Sequence, residues 1–121
     1  SFNAALCGLI DCATWRKGLG AAQPRVIASV YPGRPSTSLA CHHEWTLLHC
    51  TPQYPTAFSE LQLHQVSLAD GFSCHAKAEM FSSACLIAAI KGARIFEVHV
   101  RRCDALPSSP DFAVSVVPQE L

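Results

Sequence analysis

The seven residues Ala84 to Ile90 read Ala-Cys-Leu-Ile-Ala-Ala-Ile, without one polar side chain. They end a longer run, Ala76 to Lys91, that is rich in alanine and closed by Gly92, so the pattern predicts a helix over 76–91. A helix that lies on one sheet keeps polar residues on its outer side. This one has none over its last turns and should be covered on more than one side, by other elements or by a partner. Composition agrees. Half of the 121 residues are hydrophobic and 15% are charged, against a usual quarter, which is more apolar material than one small core needs.

Around that helix the chain reads as a mixture of short elements. Phe2, Ala5, Leu6, Leu9, Ile10 and Ala13 recur with helical spacing, so residues 2–15 are expected as an amphipathic helix capped by Asn3 and ended by Gly18 and Gly20. Arg25 to Tyr31 is short and apolar, either two helical turns or a strand. Glu44 to Cys50 reads as a strand, Thr51 to Thr56 as a proline-bearing turn, and Phe58 to Leu68 as a second strand. Asp70-Gly71 is a hairpin-type turn signal. From Arg94 to Arg101 the chain alternates, with Ile95, Glu97, His99 and Arg101 on one face and Phe96, Val98 and Val100 on the other, as in a half-buried strand. Phe112 to Val117 is a last strand, expected to pair with it as a C-terminal hairpin. The resulting organisation is an N-terminal helix and linker (1–24), an α+β core (25–92) and a β-hairpin extension (93–121).

Between Trp45 and Ile90 the sequence resembles a double-stranded-RNA-binding domain. An aromatic residue opens one strand (Trp45), a proline-bearing turn follows, and Phe58 opens the next strand. The helix then carries Ala78-Glu79-x-x-Ser82-Ser83-x-x-Leu86-Ile87. The resemblance implies an α-β-β-β-α fold, with a small antiparallel sheet and one long packed helix, Val26 to Tyr31 forming the first helix. It also implies phosphate contacts at the start of the long helix, where Ser73, His75 and Lys77 stand. The basic grip is thin: there is one lysine in that stretch, and nine Lys and Arg balance nine Asp and Glu over the chain. A neutral chain has no general pull on nucleic acid or anionic membranes.

Chemical sites are few on paper. Seven cysteines include no C-x-x-C pair, which suggests mostly buried thiols in a reducing compartment. Cys41, His42, His43, His49 and Cys50 look like zinc ligands. On one strand, however, His43 and His49 lie ~20 Å apart at about 3.3 Å per residue, too far for bonds of ~2 Å to one ion. A deaminase needs its His or Cys two residues before the glutamate and a later Pro-Cys-x-x-Cys; here His75 is four residues before Glu79 and no such motif follows. Cys12 could serve as a thiol nucleophile only if a histidine met it in space.

These features lead to a non-catalytic expectation: an accessory or scaffold subunit of a multiprotein or ribonucleoprotein assembly. Protein subunits are the expected partners, with peripheral contact to structured RNA through Ser73, His75, Lys77, Lys91, Arg94, Arg101 and Arg102. No catalytic residue, metal, cofactor or small-molecule substrate is assigned. No run approaches the ~20 apolar residues of a membrane span. An intracellular location is expected, organellar (mitochondrial) if Ser1 is a processed N-terminus. The alternatives are a small Cys/His enzyme or zinc-site protein built from Cys41, His43, Cys74 and His75, and a genuine double-stranded-RNA-binding module.

Overall fold

The computed structural model describes residues 2–3, 26–31, 45–109 and 111–121. Five strands form one sheet: β1 (Phe2–Asn3), β2 (Val26–Val30), β3 (Trp45–His49), β4 (Gly71–Ser73) and β5 (Ile95–Glu97). They lie in the order β1-β2-β3-β4-β5, and every neighbouring pair is parallel. Two further short strands, β6 (His99–Val100) and β7 (Ser115–Val116), pair parallel to one another. Among the described residues there is one α-helix, α1 (Phe81–Ile90), which follows a 3-10 turn at Ala78–Met80 and connects β4 to β5.

Parallel neighbours cannot be joined by tight turns, so each connection must cross back over the sheet. From β4 to β5 that crossover is α1. From β3 to β4 it is a pair of 3-10 segments, Phe58–Glu60 and Leu63–Leu68. An apolar layer lies between sheet and crossovers: Leu61, Val66, Phe72, Cys74, Ala76, Ala84, Ala88 and Ala93, all buried. Ala84 and Ala88 stand one turn apart on α1, and their small side chains let the helix approach β4 closely. Gly92 (φ +110°) ends the helix with Ala93 N–H donating to Ala88 O (3.0 Å) and Gly92 N–H to Ala89 O (3.0 Å), the double bond of a Schellman cap. Leu86 and Ile90, on the opposite side of α1, are exposed.

This architecture corrects the antiparallel, double-stranded-RNA-binding-like fold expected from the sequence. The helix expected over 76–91 forms only over Phe81–Ile90, because Ala76 still bridges to Thr56 and a 3-10 turn follows at Ala78–Met80; β3 occupies the first expected strand. The segment 58–68 is not a strand: Phe58 and Leu61 are three residues apart, a spacing that suits 3-10 turns, and Gln62 takes a left-handed φ of 49° between the two segments. Asp70-Gly71 is not a hairpin. Gly71 opens β4 because a Cβ there would lie 2.2 Å from Ile95 O and 2.7 Å from Leu48 Cδ2; the glycine permits close approach rather than a turn. Asp70 instead ties the middle of β3 to the approaches of β4 and β5, its side chain accepting from Leu47 N–H (2.8 Å), its N–H donating to Leu47 O (2.9 Å) and its carbonyl accepting from Arg94 N–H (3.0 Å). The alternating run 94–101 breaks at Val98 into β5 and β6, which belong to different sheets. Phe112–Val114 is a 3-10 turn, and the C-terminal hairpin is replaced by the parallel β6–β7 pair. Phe2 and Asn3 are in a strand; the rest of the helix expected over 2–15 lies outside the described residues, as do Cys12, Cys41, His42 and His43.

Candidate functional site at the carboxyl ends of the strands

Because the strands run parallel, their carboxyl ends meet on one rim, and the polar residues of the sheet collect there. β3 delivers Cys50 and Thr51, β4 delivers Ser73 and His75, and β5 with β6 delivers Glu97 and His99. Ser73 and Glu97 are register partners, and the Ser73 hydroxyl donates to Glu97 Oε1 (2.9 Å). His75 is 3% exposed. Its Nδ1 lies 2.8 Å from Thr51 O, and a carbonyl can only accept, so the Nδ1 carries the proton. In the neutral ring the Nε2 is then a bare lone pair, 3.4 Å from Ser73 Oγ. The Thr51 hydroxyl donates in turn to Glu60 O (3.2 Å) and holds the loop beyond β3.

Aromatic contacts extend the cluster toward solvent. Tyr54 lies over His75 with ring centroids 4.0 Å apart, and the edge-on His99 ring is 5.5 Å from Tyr54 and 5.4 Å from His75. His99 Nδ1 is 3.5 Å from Asp111 Oδ2. Tyr54 is half exposed and forms the outer wall.

Burial controls the ionisation of this cluster. It lowers the His75 pKa below its usual 6.5, against the Thr51 carbonyl, which favours the protonated ring. Burial also pushes the Cys50 thiol up to about 11. Cys50 Sγ is 3.6 Å from His75 Nδ1, but a protonated thiol beside a nitrogen already committed to Thr51 is no nucleophile. The rim therefore offers neutral imidazole and two carboxyl side chains, a set suited to proton transfer on a hydroxyl or carbonyl substrate. His75 and His99 each have one ring nitrogen engaged by an oxygen and one left for another partner. Among the described residues no group of three His, Cys, Asp or Glu is arranged to hold a metal ion; a cation bound at these two rings would draw its other ligands from outside this set.

The seven residues expected from the sequence as RNA contacts do not share a face. Ser73 and His75 are buried in the rim cluster. Lys77 is exposed just beyond it. Lys91 and Arg94 are exposed at the opposite end of the sheet, where α1 returns to the start of β5. Arg101 and Arg102 follow β6, and the exposed Arg102 is engaged by Asp104 through two hydrogen bonds of 2.8 and 2.7 Å. Thr51, Tyr54, Glu97, His99 and Asp111 were not singled out as site residues. The available signal was a repeated spacing: Ser73-x-His75 and Glu97-x-His99 each put two polar side chains on one face, at the ends of consecutive apolar runs.

An all-parallel sheet whose strands follow in sequence order, with polar residues at the carboxyl ends, is the arrangement of a segment of a (β/α) barrel, in which that rim carries the active site. The sequence model of the NeuB family matches residues 30–121, and the chain belongs to the NeuB family. A curated relative, the N,N'-diacetyllegionaminic acid synthase of Campylobacter jejuni, is 40% identical over 83 residues, which are 63% of this chain and 24% of that protein. The solved N-acetylneuraminic acid (sialic acid) synthetase of Leptospira borgpetersenii, in complex with citrate, superposes with a TM-score of 0.74 at 23% identity, over 98% of this chain and 44% of that one. That likeness concerns the fold. The chain spans less than half the length of either protein. These findings overturn the expectation of a non-catalytic scaffold with protein and RNA partners: the family is one of enzymes named as synthases, and small molecules are what such enzymes act on.

Proposed function

We propose that this chain supplies the strand-end half of the active site of a synthase that makes a sialic-acid-type sugar acid from a sugar and phosphoenolpyruvate. The observation that supports it most is the cluster of buried Ser73 and His75 with half-buried Glu97 and His99 and exposed Asp111 at the carboxyl-end rim, in a chain of the NeuB family. In this reading the His75 Nε2, kept as a lone pair by the Thr51 carbonyl, exchanges a proton with a substrate oxygen. Glu97 sets the direction of the Ser73 hydroxyl, and Asp111 orients His99 so that its second nitrogen faces the reacting group. Tyr54 closes the outer side and keeps bulk water off both rings.

The test uses the intact protein that carries this segment. Supplied with a sugar and phosphoenolpyruvate, it should form a sialic-acid-type product detectable by mass spectrometry. His75→Asn should lower turnover by about 100-fold or more while the protein stays folded. Unaltered turnover in that variant would remove His75 from the mechanism, and absence of any sugar acid product across a panel of sugars would sink the synthase reading.

A further inference from the structure

Two residues beyond His99, Arg101 is fixed in a way that a surface residue does not require. Its backbone N–H donates to Val116 O (2.9 Å). Its Nε donates to Ser115 O (3.1 Å), and its guanidinium carbon lies 4.4 Å from the centre of the Phe112 ring. The side chain is half buried. Backbone, Nε and guanidinium face are thus all committed, and the plane of the group is set. The two terminal nitrogens are not committed: among the described residues neither has an acceptor, and Arg101 enters no ion pair.

The position of this guanidinium gives the free nitrogens a meaning. Phe112 directly follows Asp111, so the Arg101–Phe112 stack and the His99–Asp111 contact are successive rungs between the same two segments. His99 and Arg101 are also two residues apart, as are neighbours on one face of a strand. The rim next to them carries the carboxyl groups of Glu97 and Asp111, which would repel an anionic substrate. A pre-oriented guanidinium with two parallel donors is the group that binds a planar oxyanion in a bidentate manner. The other described arginines are not equivalent, since Arg102 is spent on Asp104 and Arg94 stands at the far end of the sheet.

We propose that Arg101 is an anion-binding residue of this rim, its terminal nitrogens receiving a carboxylate or phosphate group of the substrate. The assignment rests on the reading of the rim as a substrate site, but its primary readout is binding and does not depend on turnover. Calorimetry on the intact protein, at fixed ionic strength, would use inorganic phosphate and pyruvate as separate probes. Arg101→Gln should weaken whichever of the two binds by about 10-fold or more, the loss expected for a charge-assisted hydrogen bond of about 1.5–3 kcal/mol. Arg101→Lys should recover only part of it, because an ammonium is a point charge. The probe that responds tells carboxylate from phosphate. In steady state the KM for the anionic substrate should rise while the KM for the sugar and kcat stay close to wild type.

Equal affinity of wild type and Arg101→Gln for both probes would overturn the assignment, as would wild-type protein binding neither. A variant that only melts at lower temperature, with unchanged affinity, would make Arg101 a brace for β7. If Arg101-dependent binding is found in a protein that makes no sugar acid, the anion site stands and the synthase reading falls. If the protein makes the sugar acid and Arg101→Gln binds both probes as wild type does, the synthase reading stands and the anion site falls.

Discussion

β4 and its continuation, residues 71–76, are buried on both sides, and the two sides have opposite chemistry. Phe72, Cys74 and Ala76 face the layer beneath α1 and pack into its apolar cluster, with the His49 ring stacked on Phe72. Gly71, Ser73 and His75 face the other way, toward Leu48, Glu97 and the rim. A parallel strand covered on both faces is normally a continuous apolar run, because a buried polar group without a partner costs several kcal/mol on average. Here each polar residue has a partner: Ser73 has Glu97, and His75 has Thr51 O. Burial alone therefore does not separate core from site. The partner does.

The comparison is broken most severely from the apolar side. Phe72 is fully buried, and Phe72→Ala should cost about 3–5 kcal/mol of unfolding free energy, the usual range for an aromatic deleted from a core. Denaturant unfolding of the intact protein measures it. A loss below about 1 kcal/mol would mean that the layer beneath α1 does not hold β4 in place. Gly71→Ala comes next. Its new Cβ would meet backbone oxygen and the Leu48 side chain, so the strands must part, at a cost of about 1–3 kcal/mol. Because parting β4 from β5 also separates Ser73 from Glu97, this substitution should lower turnover as well as stability, unlike a pure core deletion whose site geometry survives.

Substitutions on the polar side should act in the reverse proportion. Ser73→Ala removes one hydrogen bond whose acceptor, Glu97, is only half buried and can turn to water. A stability change of about 1 kcal/mol or less is expected, with a larger effect on turnover than on stability. Should the variant lose several kcal/mol at unchanged turnover, Ser73 would belong with the core residues and the distinction between the two sides would fail.

The same division explains which parts of the molecule were legible in the sequence. The helix was, because alanine content and a closing glycine are local properties, and Gly92 does end it. The strand at Trp45–His49 was as well. Strand direction was not: Gly71 reads the same whether it serves a turn or a close approach, and only Ile95 O, 24 residues away, distinguishes them. The antiparallel reading came from the resemblance, and the Asp70-Gly71 turn signal fitted it equally well. For the site, Ser73 and His75 were picked out for a helix start, whereas their partners Glu97, Thr51 and Asp111 come from three other segments. No local pattern carries that convergence, although the paired Ser-x-His and Glu-x-His spacings contain half of it.

The smallest expected effect compares two histidines, one on each side of the sheet. His49 is fully buried on the apolar side, its register partner being Phe72, against which the rings stack at 6.0 Å. Its Nε2 donates to Leu61 O (2.7 Å), and its Nδ1 has no partner among the described residues. Burial lowers its pKa, as it does for His75 on the rim. In both cases the folded protein holds the ring neutral below the pH at which the unfolded chain takes up a proton. Each ring therefore contributes stability that is complete above about 6.5 and is lost as pH falls through the lowered folded value. The two should separate by readout. His49→Gln, which keeps a donor for Leu61 O, should flatten the fall of stability between about pH 7.5 and 5 and leave the pH profile of turnover in place. His75→Asn should remove the acid limb of turnover instead. If His49→Gln moves the turnover profile, the apolar side is coupled to the chemistry, and the two faces of β4 are one functional unit rather than a support and a site.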